Sequence, residues 1–341
     1  MKDALALLVE RKDVPPEMMQ AAVSQMMTGE ADPAAVGAFL IALTAKGETV
    51  AEVSAAAKVM RELAKTIDID GSEILVDPVG TGGDGANLFN VSTASAIIAA
   101  AGGVKIAKHG NIAASSASGS ADVLREAGVV LDIAPEDVAA CVRETGFGFM
   151  FAQAYHQAMR HVVPVRRALG VRTVFNVLGP LSNPAGVKHQ VLGVFSKAWL
   201  RPMAEVSRAL GAKRVLVVHS HNGLDEFSVT HRNDVAELCA DGSIKEYEVS
   251  PLALNMAHDH HREIEVGSAQ ESLALINAIF AGGGPKVGRD MLALNAAAIF
   301  YVAGKVVDLA EGVALAYSVL DQGLAAQKLA EIVSFTAHKG V

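Results

Sequence analysis

Apolar residues up to about Leu63 recur at helical spacing, and turn signals at Pro15 and Pro16, at Gly29 with Asp32 and Pro33, and at Gly47 with Thr49 divide the stretch into four segments of ordinary helix length. The pattern predicts a small α-helical module. From Glu73 the period changes: residues 74–80 are a short apolar run ending in glycine, 92–101 read as a helix and 104–109 as a second strand. That is a β-loop-α-β unit. Helices over 121–128 and 135–146 alternate with strands over 129–133 and 147–152. Residues 156–183 interrupt the alternation with proline-punctuated helices, after which 190–195, 214–219 and 227–231 read as strands. Helices dominate from Ser268 onward, broken at 282–285 and at Gly304, and there is no internal repeat or low-complexity tract. The predicted fold class is α/β, with a mainly parallel central sheet wrapped by helices.

Composition narrows the function. At roughly 150 residues per domain, 341 residues are about two domains. Hydrophobic residues at 51%, charged residues at 19% and a mean hydropathy of +0.32 exclude intrinsic disorder and predict a dense interior or subunit interface. With only 5% aromatics, Ala, Val and Leu do the packing. The most apolar stretches fall short of the ~20 residues a bilayer requires, so no membrane span is expected. A formal charge of -8 argues against nucleic acid, whose binding needs a basic face. The N-terminus carries Asp3 and Glu10 and reads as an amphipathic helix, not a signal peptide. Cys141 and Cys239 are too few for a disulfide framework, and a reducing cytoplasm is expected.

Candidate chemistry lies at three strand ends. Gly80-Thr81-Gly82-Gly83-Asp84-Gly85 follows a strand and precedes a helix near Ser92, so backbone N–H groups and a helix N-terminus converge on an anion. The loop contains GxGxxG, but no acidic residue lies between Ala86 and Ala121, where a dinucleotide site would place one. Phosphate or pyrophosphate is the expected ligand, against a tight turn that binds nothing. The next strand ends in Lys108-His109-Gly110-Asn111, followed by Ser115, Ser116, Ser118, Gly119 and Ser120 ahead of another helix. Two adjacent anion loops suit a substrate with two phosphate groups. At the third strand end, Asp225 and Glu226 offer the carboxylate pair of an Mg²⁺ site that keeps waters and bridges to phosphate, against a solvated acidic turn. His258, Asp259, His260 and His261 look metal-like, but no carboxylate-histidine scaffold is nearby in sequence, so they read as a solvated loop.

Together these stretches are specific. GTGGD at 80–84, NVST at 90–93, KHGN at 108–111, SGSADVL at 118–124, PVRRALGVRTVFNVLGPLSNPAG at 164–186 and LDE at 224–226 resemble, in order along nearly the whole chain, the anthranilate phosphoribosyltransferase family. The resemblance implies a homodimer whose small α-helical domain (residues 1–68 with the inserted 156–183) sits beside a large α/β domain (69–155 and 184–341) of nucleoside phosphorylase/phosphoribosyltransferase type, with the active site between them. It implies transfer of the phosphoribosyl group of PRPP to the amine of anthranilate, releasing pyrophosphate, in tryptophan biosynthesis.

By the same resemblance, Gly80, Gly82, Gly83, Asp84, Asn90, Ser92, Thr93, Lys108, His109, Gly110, Asn111, Ser115, Ser116 and Ser120 hold PRPP. Gly80, Asn111 and Arg166 hold anthranilate, and Ser92, Asp225 and Glu226 hold Mg²⁺. The sequence departs from the family's pattern at Leu88 (often Thr), Ile112 (usually Arg), Gln153 (usually Pro) and Tyr155 (usually His). Two rival readings share the architecture: a pyrimidine nucleoside phosphorylase and a non-enzymatic relative that binds nucleic acid. The acidic pair, which a phosphorylase using free phosphate does not need, counts against the first; the intact GTGGD loop, the acidic pair and the negative charge count against the second.

Overall fold

The computed structural model describes residues 1–69, 73–83, 85–113 and 117–339. The N-terminal pattern folds as the four expected helices: α1 (Lys2–Val9), α2 (Pro16–Thr28), α3 (Pro33–Lys46) and α4 (Val50–Glu62). Their ends follow local chemistry. Gly29 closes α2 at φ +80°, the Asp32 carboxylate accepts the Ala34 N–H at 2.9 Å to start α3, and Thr49 and Glu52 form a reciprocal capping box at the start of α4.

The remainder alternates. β1 (Leu75–Gly80), α5 (Val91–Ala101), β2 (Lys105–Gly110), α6 (Ser120–Glu126), α7 (Pro135–Thr145) and β3 (Phe147–Phe151) come first. An insert follows with α8 (Ala152–Tyr155), α9 (Val163–Leu169) and α10 (Phe175–Leu178). Then come β4 (His189–Gly193), α11 (Leu200–Ala209), β5 (Arg214–Ser220), β6 (Asn233–Leu238) and β7 (Ile244–Val249). The chain finishes with α12 (Ala269–Phe280), α13 (Lys286–Val302), α14 (Leu309–Asp321) and α15 (Leu324–Ala337).

Among the described residues, seven strands order β3-β2-β1-β4-β5-β6-β7; β1 to β5 are parallel, and β6 and β7 add antiparallel at one edge. The chain leaves β1 toward β2 and later returns to β4 on its other side, so the strand order reverses between β1 and β4. Such switch points open a crevice beyond the carboxyl ends of the strands. Alternation along the strands divides the core: on β5, Leu216 and Val218 pack with α5 and α13, while Val215 and Val217 pack with the helical segments. α1–α4 and the insert thus share one hydrophobic core with a sheet face and α11. Among the described residues, no helix is long and apolar enough to cross a membrane.

Two expected strands are absent. Residues 129–133 alternate in burial but form no ladder; the Val129 N–H closes the turn after α6, and the Val130 N–H donates to Thr336 Oγ1 at 3.1 Å. Residues 227–231 are not a strand because Asn233 captures Ser228, accepting its N–H at 2.7 Å and donating to its carbonyl at 2.9 Å, so the ladder starts at Asn233. β6 and β7, which the apolar pattern does not predict, form a hairpin turning at Asp241-Gly242, with Gly242 at φ +84°.

Candidate active site

A cavity of about 380 Å³ lies at the switch point, within the size range of small-ligand sites. Gly80 ends β1 and pairs in register with Gly193 at the end of β4. Neither position has room for a side chain: a Cβ on Gly80 would lie 2.3 Å from Asp225 Oδ2, and one on Gly193 would lie 1.5 Å from the Asp225 carbonyl oxygen. The absent side chains let the acidic turn drop onto the sheet end. The Thr81 N–H donates to the Gly193 carbonyl at 2.9 Å, tying the two strand ends together.

The acidic pair engages both anion-directed elements. Asp225 Oδ2 accepts the Gly82 N–H at 2.6 Å, and Glu226 Oε1 accepts the Ser92 N–H at 3.0 Å in the first turn of α5, where the helix dipole favours negative charge. The turn is held from behind by Asn295 on α13, which accepts the Phe227 N–H at 3.1 Å and donates to the Phe227 carbonyl at 2.8 Å. Ser92 Oγ accepts from Lys108 Nζ at 3.3 Å. Two carboxylates and a hydroxyl are hard oxygen donors of the kind Mg²⁺ takes in partnership with water and phosphate, so the residues fit that ion.

Lys108 is only 2% exposed. Burial lowers its pKa, while Asp77, Glu226 and Asp225 oppose the change. Asp77, fully buried beneath it on β1, accepts the His109 N–H at 3.1 Å and the Asn183 side-chain N–H at 2.7 Å. Burial pushes the Asp77 carboxyl up to about 6 from 3.8, against the pull of Lys108 and these hydrogen bonds. A carboxyl raised in the fold contributes stability that is present at low pH and lost as pH rises through its folded value. The gap corresponds to roughly 3 kcal/mol. The unfolding free energy of the native chain minus that of Asp77→Asn is therefore expected to fall between about pH 4 and about pH 7; urea titrations across that range check it, and a flat difference contradicts it.

The second loop is equally well braced. The Asn90 carboxamide accepts from Ser118 Oγ at 2.8 Å and Ser272 Oγ at 2.7 Å, and Asp122 Oδ2 accepts the N–H groups of Ala113 and Gly119 at 2.8 and 2.9 Å. His109 stays neutral, because burial and then His156, whose ring centroid is 4.9 Å away, push its pKa down to about 3.

The cavity wall brings together the predicted Gly80, Gly82, Gly83, Asn90, Ser92, Lys108, His109, Gly110, Asn111, Ser120, Asp225 and Glu226. Thr93 lies behind it, 1% exposed on α5. Asp84, Ser115 and Ser116 lie outside the described residues. Arg166 does not line the cavity; it is half-buried on α9 with its guanidinium 5.7 Å from the Phe175 ring centroid, and burial lowers its pKa. The neighbouring Asn176 does line it.

Three of the four departures border the same space. Ile112, 40% exposed, lines the wall, Leu88 lines it too and bridges to Glu265, Gln153 Nε2 approaches Asn111 Oδ1 at 3.5 Å, and Tyr155 is buried. The histidine cluster is not simply solvated: His258 Nε2 lies 2.7 Å from Asp290 Oδ2, a carboxylate 32 residues away in the chain. Residues missed by sequence reasoning, Asp77, Asn183, Ser272 and Asn295, act through partners remote in sequence, and only a polar residue in an apolar run, as at Asp77, signals them.

Comparison with known proteins agrees with this geometry. Residues 72–326 match the "Glycosyl transferase family, a/b domain", and residues 2–64 match the "Glycosyl transferase family, helical bundle domain". The chain is 50% identical over 339 residues to anthranilate phosphoribosyltransferase of Saccharophagus degradans, covering 98% of this chain and 99% of that one. The crystal structure of anthranilate phosphoribosyltransferase from Thermus thermophilus superposes with a TM-score of 0.92 at 44% identity, covering 98% of this chain and 99% of that one. The Saccharomyces cerevisiae anthranilate phosphoribosyltransferase in complex with PRPP and Mg gives 0.90 at 25% identity, covering 98% and 97%. Matches to both the helical segment and the sheet, with identity of about half over nearly the full length of the relatives, place the chain in the anthranilate phosphoribosyltransferase family.

Proposed function

We propose that the protein transfers the phosphoribosyl group of PRPP to the amine of anthranilate, giving N-(5-phosphoribosyl)anthranilate and pyrophosphate in tryptophan biosynthesis. The observation that carries this reading is the acidic pair, hydrogen-bonded at once to the glycine loop through Gly82 and to the α5 terminus through Ser92, beside buried Lys108. Ser92, Asp225 and Glu226 would hold Mg²⁺, which when bound neutralises charge on the pyrophosphate.

The chain's own groups do the rest. Gly80, Gly82, Gly83, Asp84, Asn90, His109, Gly110 and the loop with Ser115, Ser116 and Ser120 grip PRPP, chiefly through N–H and hydroxyl donors, and Thr93 supports them from behind the cavity wall on α5. Lys108 stabilises negative charge as it builds on the departing pyrophosphate, an effect strengthened by burial. An arylamine is already neutral at pH 7, so no strong base is needed, and holding its nitrogen near the ribose C1 through Gly80 and Asn111 is the main task. Incubation with Mg²⁺, PRPP and anthranilate tests the reading: equal amounts of pyrophosphate and N-(5-phosphoribosyl)anthranilate are expected, and pyrophosphate without the conjugate rejects transfer.

Arg166 pairs with the anthranilate carboxylate, which a planar guanidinium meets bidentately. Its position behind the cavity wall on the insert, beside the residue preceding cavity-lining Asn176, is compatible with an acceptor that enters from the helical side. Arg166→Ala is expected to raise the anthranilate KM by about one to two powers of ten, since a charge-assisted hydrogen bond is worth roughly 1.5–3 kcal/mol, with little change for PRPP. Arg167, exposed on the same helix, is expected to tolerate alanine. Steady-state kinetics of both variants decide it; equal effects remove Arg166 from the acceptor site.

The small helical unit comprises residues 1–68 and 156–183, and the α/β unit 69–155 and 184–341. The chain works as a homodimer in the cytoplasm. Exposed Val9, Ile41 and Val163 on α1, α3 and α9 supply apolar surface for self-association, and both cysteines are unbridged.

A further inference from the structure

Arg172 carries no role in the account above, yet it touches both loops that leave the switch point. Its Nη2 donates to the Gly83 carbonyl after β1, and its guanidinium carbon lies 4.2 Å from the ring centroid of Phe195 after β4. Those loops are joined to each other as well: the Phe195 N–H donates to Thr81 Oγ1 at 3.0 Å, and the Thr81 N–H donates to the Gly193 carbonyl at 2.9 Å. Arginine, phenylalanine, threonine and the Gly83 peptide therefore form one connected set of contacts between the helical insert and the glycine loop. Arg172 itself does not line the cavity, whereas Gly80, Thr81, Gly82 and Gly83 do.

A loop that binds an anion through its N–H groups must dispose of its carbonyl oxygens elsewhere, because a carbonyl facing a phosphate is repulsive. Gly83, at φ +79°, has the conformational freedom of glycine and needs an external restraint to keep one orientation. We infer that Arg172 is a positioning residue for PRPP: from the insert it holds the Gly83 carbonyl away from the substrate anion and keeps the glycine loop in its binding form. The double duty explains the residue type. A guanidinium stacks on an aromatic face while donating in its own plane, and an ammonium does not combine the two.

The identity of the anion rests on the function proposed above, and the test separates the two claims. Arg172→Ala, Arg172→Lys, Phe195→Leu and the Arg172→Ala/Phe195→Leu double variant are compared with the native protein by calorimetric titration with Mg²⁺ and PRPP, by steady-state kinetics and by amide exchange over residues 81–83. Arg172→Ala is expected to weaken PRPP binding and raise the PRPP KM by about one to two powers of ten, as loss of one hydrogen bond to a charged group implies, with the anthranilate KM unchanged and faster exchange at residues 81–83. Lysine is expected to restore less than half of the loss. Phe195→Leu is expected to act in the same direction, and the double variant to be no worse than Arg172→Ala. Unchanged exchange and PRPP affinity in Arg172→Ala, full rescue by lysine, or additive effects in the double variant would each overturn the positioning role. If the native protein binds PRPP but does not consume anthranilate, the transfer reading fails, while the exchange and titration arms still decide the role of Arg172.

Discussion

Asp225→Asn combined with Glu226→Gln is expected to lower kcat by at least about a thousandfold, the scale on which electrostatic stabilisation of a leaving group operates. The side-chain oxygens of Asn and Gln can still accept the N–H groups of Gly82 and Ser92, which Asp225 and Glu226 accept at 2.6 and 3.0 Å, so the turn stays docked. What disappears is two negative charges opposite Lys108. Circular dichroism and thermal melting should therefore match the native protein while turnover is lost. Native activity at saturating Mg²⁺ would remove both residues from the chemistry.

Gly193→Ala is the second large effect, and its origin is steric. The new Cβ would lie 1.5 Å from the Asp225 carbonyl oxygen and 2.4 Å from the Asp225 carbonyl carbon, which are backbone atoms and cannot swing aside. The acidic turn must move off the end of β4, taking Asp225 away from Gly82. Overpacking of this kind costs roughly 1–3 kcal/mol or more, and here the displaced atoms are those of the site. Turnover is expected to fall by at least about a hundredfold, since misplacement of reacting groups by an ångström is worth that much. Gly179 provides the contrast: its φ is −52° and a methyl group added there would meet nothing within 4 Å, so its alanine variant should retain native stability. Chemical denaturation and kinetics on both variants check the pair, and a native-like Gly193→Ala would contradict the close approach.

Local chemistry explains which parts were legible in the sequence. The ends of α2, α3 and α4 are set by residues within a few positions of the breaks, so Gly29, Asp32 and Thr49 announce them. The anion loops were readable for the same reason, because glycines and hydroxyls cluster where N–H groups must converge. Residues 129–133 and 227–231 misled because the first is an apolar run of strand length and the second alternates apolar and polar residue types as a strand does, while their hydrogen bonds go to Thr336 and Asn233 instead of to a neighbouring strand. β6 was hidden by its own polar residues: Asn233, Asp234 and Glu237 are all buried there, each against a partner no local pattern reveals. Asp77 and Asn183 are 106 positions apart, and Asn90 and Ser272 are 182 apart, so the braces behind the site exist only once the chain is folded.

The central claim is that this cavity joins PRPP to an aromatic amine. Its most direct test is the fluorescence of anthranilate in a mixture of protein, Mg²⁺ and PRPP. A loss of fluorescence that is proportional to protein concentration, requires PRPP and stops on chelation of Mg²⁺ is the predicted result. Constant anthranilate fluorescence under saturating PRPP and Mg²⁺, with phosphate-dependent cleavage of a pyrimidine nucleoside by the same preparation, would contradict it.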